Sequence, residues 1–117
     1  MKAILDEAAA MGEQITAWRR DLHQIPELGL ETPETSAYIV QELKKMGASD
    51  IREKIGGWGV TAVVKGALPG KTLAVRADCD GLPVVEETGL PFASKNGRMH
   101  ACGHDAHTAM ALGAAKL

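Results

Sequence analysis

A layered α/β fold is what this sequence predicts, in the order helix, helix, strand, strand, strand, loop, helix. Three observations carry that expectation. Two stretches in the N-terminal half repeat their apolar residues at helical spacing. Three short runs suited to β-structure follow, punctuated by glycine and proline. A last helical pattern begins directly behind a dense cluster of cysteine, histidine and aspartate.

The first helix is predicted from about Ala3 to Gln24. Ile4, Ala8, Met11, Ile15, Trp18 and Leu22 form its stripe, with Asp6, Glu7, Glu13, Arg19 and Arg20 mostly between them. Pro26 ends it, because a residue before proline avoids the helical region. Thr32 and Pro33 mark the next start: a capping hydroxyl, then proline at the first helical position, with Glu34 in the first turn. Tyr38, Ile39, Leu43 and Met46 form the second stripe, and Gly47 is a natural stop. Asp50 to Ile55 is the first β candidate. Gly56 to Gly59, G-G-W-G, lacks the G-x-G-x-x-G pattern and a following helix, so it reads as a turn and not a phosphate loop. Val60 to Lys65 is β-branched and bounded by Gly59 and Gly66. Thr72 to Arg76 follows a turn at Pro69-Gly70 and reads as a buried strand. A loop from Val84 to Arg98 leads into the third helix, from about His104 to Leu117.

The chain has 117 residues, enough for one domain. Aromatics are only 3%, so the core must rest on Ala, Val, Leu, Ile and Met. A net charge of -2, with no basic block, gives no footprint for nucleic acid. No apolar run approaches the length of a membrane span, and Asp6 and Glu7 arrive too early for a signal-peptide core. Two cysteines are too few for a disulfide framework, which makes a reducing, cytoplasmic setting the expectation. The last residues stop in mid-helix, as expected of the front part of something longer.

The chemistry concentrates in M-H-A-C-G-H-D-A-H, Met99 to His107. Thiolate and imidazole are preferred ligands of zinc and other divalent transition metals. Cys102 and His104, two apart across Gly103, can face one centre. Asp105 and His107 on the following turn can ligate, or orient a ligand through a hydrogen bond. Asp78 and Asp80, at the end of the third predicted strand, are further candidates for either role, in the place where open α/β sheets put their ligand sites. A structural zinc needs four ligands, and the chain has no second paired half-site, so the remaining ligands are expected beyond it. Other readings stand beside this one. Cys102 could be a nucleophile with His104 or His107 as its base, which requires no metal. Cys79 reads as a small buried hydrophobe, His23 first as a surface or capping residue and second as a residue lying at a site, and Glu86-Glu87 as a solvated loop pair. Asp80-Gly81 is also ordinary turn chemistry.

Three stretches together carry a resemblance: W-R-R-D-L-H-Q-I-P-E-L-G-L-E-T-P-E-T, R-A-D-C-D-G-L-P-V-V-E-E-T-G-L-P-F-A-S and M-H-A-C-G-H-D-A-H-T-A-M. In this order, over about Gln14 to Leu117, the sequence resembles the amidohydrolase branch of the M20 metallopeptidases. That branch includes hippurate hydrolases, N-acyl-amino-acid amidohydrolases and indole-acetyl-amino-acid hydrolases. The resemblance implies that residues 1–117 are the N-terminal part of a layered α/β, zinc-peptidase-like catalytic domain. The rest of that domain and an inserted lid and dimerisation domain would lie elsewhere. Cys102 and His104 match the family's first two metal ligands. Asp78 matches an aspartate beside the metals, and Asp80, Asp105 and His107 remain candidates for supporting roles. The other ligands and the general-base glutamate lie downstream in the family, so no catalytic residue is expected within the chain. The implied cofactor is a pair of divalent ions, Mn, Zn, Co or Ni, and thiolate ligation argues against Mg or Ca. The implied substrate is a small N-acyl amino acid, hydrolysed to a carboxylate and an amino acid. No nucleic-acid or membrane partner is expected, and a homo-oligomer is compatible with the pattern. On this reading the 117 residues are inactive alone. The competing expectation is a truncated, non-catalytic metal-binding or interaction domain.

Overall fold

A computed structural model describes all residues, 1–117. Its elements are α1 (Lys2–Ala10), α2 (Gly12–His23), α3 (Pro33–Lys45), β1 (Ser49–Ile55), β2 (Gly59–Val63) and α4 (His104–Lys116). The class is mixed α/β, as expected. No helix is long and apolar enough to cross a membrane.

The single N-terminal helix expected from the stripe is two helices with a turn at Met11. Gly12 follows the break, and glycine weakens a helix interior by about 1 kcal/mol relative to alanine. Packing decides the rest. No residue of α1 is buried, and its Ile4 is 59% exposed, so nothing tertiary holds α1 in line with α2. The buried stripe begins with Met11 and Ile15 and runs through Trp18 to Leu22.

Trp18, Leu43, Ala109 and Leu112 form the central cluster, where α2, α3 and α4 meet. The Trp18 indole Nε1 donates to Glu42 Oε2 at 2.9 Å, so the one polar atom of this large side chain is satisfied inside the contact. Gly113 lets α4 approach α2 closely: a Cβ there would stand 3.2 Å from Ile15 Cδ1.

α3 starts at Pro33, as the sequence implies, but Thr32 makes no capping hydrogen bond to the helix backbone. Glu27 does that work from seven and eight residues upstream. Its carboxylate accepts from the Glu34 N–H at 3.1 Å and the Thr35 N–H at 2.8 Å. A carboxylate also suits the positive end of the helix dipole better than a hydroxyl. The Thr32 hydroxyl instead meets Ser36 Oγ at 3.5 Å. At the other end, Gly47 takes φ +77° while its N–H reaches Lys44 O and the Ala48 N–H reaches Leu43 O. These two bonds close a Schellman motif.

β1 and β2 form an antiparallel hairpin packed against α3, and Gly56 to Trp58 make the turn. The register slips by one residue between Ser49 and Arg52 and again between Arg52 and Ile55. Within those two intervals lie Asp50 at φ +48° and Lys54 at φ +59°, so β1 carries two bulges and coils accordingly.

The third expected strand is absent. Thr72 to Arg76 belongs to no ladder, and Leu73 and Val75 are 85% and 68% exposed. β-propensity describes how a residue fits a pleated neighbour, and no neighbouring strand pairs with this run. Leu73 and Val75 border an open apolar cavity of about 400 Å³, floored by β2 and α4 through Val60, Ala62 and Leu112.

Candidate metal centre

Local geometry brings the polar cluster together in two steps. Leu82 and Met99 exchange backbone hydrogen bonds at 2.8 and 3.0 Å, which fastens the segment after Asp80 to the start of the Cys/His stretch. Gly81 donates to Glu27 O at 2.6 Å and lies so close to the chain that a Cβ would stand 2.7 Å from Pro26 Cβ. Gly103, at φ +97°, then turns the chain into α4.

α4 therefore begins with its functional side chains already directed. His104 and His107, one turn apart, stack with ring centroids 5.3 Å apart. Asp78, His104 and His107 each offer a ligand atom, and all three atoms lie within 4.8 Å of one another. His107 Nδ1 is hydrogen-bonded to Asp78 Oδ1. That contact leads in holding the Asp78 carboxyl below the usual aspartate range. His104 Nδ1 lies 3.0 Å from Asp80 O and 2.9 Å from Asp80 Oδ1. A backbone carbonyl only accepts, so this nitrogen carries the proton, leaving Nε2 for the cluster 3.6 Å from Asp78 Oδ2. Cys102 is exposed, just ahead of Gly103, and does not join the three-residue group. Cys79 is half-buried, and burial pushes its thiol up, which keeps it protonated.

A carboxylate and two imidazoles, with a thiol two residues from one of them, suit a divalent transition metal. Three protein donors with an open position are the catalytic pattern for zinc.

Asp105 points the other way. It is 1% exposed and faces α2, where Arg19 Nε donates to its Oδ2 at 2.8 Å and His23 Nδ1 lies 2.7 Å from the same oxygen. His23 is 2% exposed, and its Nε2 lies 2.9 Å from Glu86 Oε1. Both residues depart from their sequence reading. His23 is no surface cap, and the Glu86 side chain is wholly buried, while Glu87 alone is solvated. The reason is long-range: the loop from Val84 folds back on α2, with Phe92 edge-on to His23 and beneath the guanidinium groups of Arg19 and Arg20. The available signal was the i, i+4 pair of Arg19 and His23, flanking the buried positions Trp18 and Leu22.

Burial acts to raise the Glu86 carboxyl. Hydrogen bonds from Thr88, His23 and the Ser94 N–H outweigh it and bring the pKa down from 4.5 to about 2. A depressed carboxyl contributes stability in full above 4.5 and loses it as the pH falls toward 2. Burial lowers His100 below its ordinary 6.5, so charging it in acid also favours unfolding. Glu86→Gln is expected to remove about 1–2 kcal/mol of stability at neutral pH and to flatten the acid limb. Urea titrations at several pH values check this, and an acid limb as steep as wild type contradicts it.

Comparison with known proteins accords with the geometry. Residues 74–117, which contain the whole cluster, match peptidase family M20/M25/M40. Over its matched residues the chain is similar to M20 metallopeptidases. Among curated relatives, it is 54% identical over 98 residues to an N-acetyldiaminopimelate deacetylase of Streptococcus gordonii, covering 81% of the chain and 26% of that protein. It is 49% identical over 104 residues to the deacetylase of the same name from Listeria innocua, covering 88% and 28%. Among solved structures, a Bacillus subtilis dinuclear metal-binding peptidase of the M20 family superposes with TM-score 0.82 at 44% identity, over 92% of this chain and 30% of that one. A protein from methicillin-resistant Staphylococcus aureus gives 0.85 at 44% identity, over 96% and 30%. The chain thus spans between a quarter and a third of the length of these relatives.

Proposed function

We propose that this chain supplies the metal-holding part of a hydrolase that removes the acyl group from a small N-acyl amino acid. The observation that carries the reading is the preassembled Asp78–His104–His107 group within the residues matching the family. Support for the substrate class comes from the curated deacetylases, whose substrate is an N-acetylated amino acid by name. In this reading His104 and Cys102 are ligands, Asp78 and His107 complete or brace the set, and Asp80 fixes the His104 ring. Two ions of Mn, Zn, Co or Ni fill the complete site, in keeping with the dinuclear description of the Bacillus relative. The metal, when bound, polarises the amide carbonyl and acidifies a water. Residues 1–117 form the N-terminal part of the catalytic domain, and the remaining ligands and the general base come from outside them. Glu86 is no substitute for that base, being buried and committed to His23, Thr88 and Ser94.

Cobalt(II) titration of the chain tests the reading. Wild type is expected to bind, with affinity reduced more than about 100-fold in His104→Ala and about 10-fold or more in Cys102→Ala. Metal stoichiometry and affinity unchanged in both variants overturn the ligand assignment. Turnover of N-acetyl or N-benzoyl amino acids by the 117 residues alone would show that they carry a base of their own.

A further inference from the structure

Two faces of one helical turn do different work at the start of α4. His104 and His107 look toward Asp78, and Asp105, between them in sequence, looks toward α2. A rigid turn cannot rotate one face without rotating the other. The Asp105 face is held unusually firmly. Its Oδ2 receives Arg19 and His23, and its Oδ1 accepts the Ala106 N–H at 2.9 Å. His23 is held in turn from its far side by Glu86, itself fixed by the Ser94 N–H at 2.6 Å and the Thr88 hydroxyl at 2.6 Å. A carboxylate oxygen lies within 3 Å of each ring nitrogen, so the ring is held at both ends. The ring therefore braces between two buried carboxylates contributed by different parts of the chain, with Phe92 packed edge-to-face against it, ring centroids 5.6 Å apart, limiting its tilt.

We propose that His23 is a positioning residue for the metal-holding turn: braced between Glu86 and Asp105, it fixes the rotation of α4 and so the direction in which His104 and His107 present their rings. The metal consequence rests on the reading above, but the positioning itself does not. It has a signature in the metal-free chain, because the hydrogen bonds that His104 Nδ1–H donates to Asp80 require α4 to be correctly turned.

The test is ring-nitrogen NMR of the metal-free chain, followed by cobalt(II) chloride titration, on wild type, His23→Leu, His23→Gln and Glu86→Gln. Wild-type His104 is expected as the Nδ1–H tautomer. His23→Leu should shift it toward the Nε2–H form that free imidazole side chains favour and weaken cobalt binding about tenfold. His23→Gln, which keeps one donor for Asp105, should recover part of both. A loss of stability alone would move neither the tautomer nor the rescue pattern in a folded variant. If His23→Leu does not fold, Glu86→Gln, which leaves α2 intact, carries the test in the same direction. A wild-type tautomer in His23→Leu, or in Glu86→Gln where His23→Leu does not fold, overturns the proposal, as does a wild-type chain lacking the Nδ1–H form. A wild type that binds no cobalt overturns the metal reading instead, and the tautomer result still decides the positioning.

Discussion

Trp18→Ala is expected to remove about 3–5 kcal/mol of folding stability. Trp18 is 3% exposed and is the largest member of the four-residue cluster joining α2, α3 and α4. Only six hydrophobic residues of the chain are buried, so no second core compensates for the cavity. The loss has a polar part too. Glu42 is 9% exposed and would lose the indole donor, keeping Lys45 as its partner. Total stabilities of domains this size lie near 5–15 kcal/mol, so the variant should show a broad, early urea transition or none. Trp18→Phe separates the contributions in part by keeping one aromatic ring in the cluster while losing the indole N–H and the second ring. It should fall between alanine and wild type. A Trp18→Ala midpoint within experimental error of wild type would refute this account of the core.

Glu27→Ala should cost about 2–3 kcal/mol, more than a typical capping residue. Two backbone N–H groups, of Glu34 and Thr35, lose a charged acceptor, and Thr35 is fully buried, so water cannot replace it. The backbone of the same residue also receives the Gly81 N–H, which ties the α3 cap to the segment carrying Asp78 and Asp80. Glu27→Gln keeps the acceptor oxygens in part and should lose roughly half as much. Urea denaturation followed by far-ultraviolet circular dichroism reads both variants. Equal stability of Glu27→Ala and wild type would return the capping role to Thr32.

What could be read in advance was what depends on neighbours in sequence. The stripe of Trp18 and Leu22, Pro33 at the first position of α3, the stop at Gly47 and the turn at Gly56 to Gly59 are all local chemistry, and all are present. Of the Asp78–His104–His107 group, His104 was expected as a ligand and Asp78 and His107 as supporting candidates, whereas Cys102, expected as a ligand, stands outside it. The misread features depend on partners far along the chain. Ile4 repeats at helical spacing, yet nothing packs against α1. Thr72 to Arg76 has strand composition without a strand beside it. His23 and Glu86 are 63 residues apart, and each looks ordinary until the Val84–Arg98 loop folds back to join them.

The two bulges in β1 make the hairpin a one-sided template. A strand whose backbone twice leaves the pleat, through Asp50 and Lys54, presents its outer hydrogen-bonding groups out of phase, and its charged side chains repel a newcomer. β2 has a regular backbone and faces the groove beside Leu73 and Val75. Growth of this ribbon into a wider sheet is therefore directional: added strands can enter along β2, while the β1 border is closed by its own irregularity.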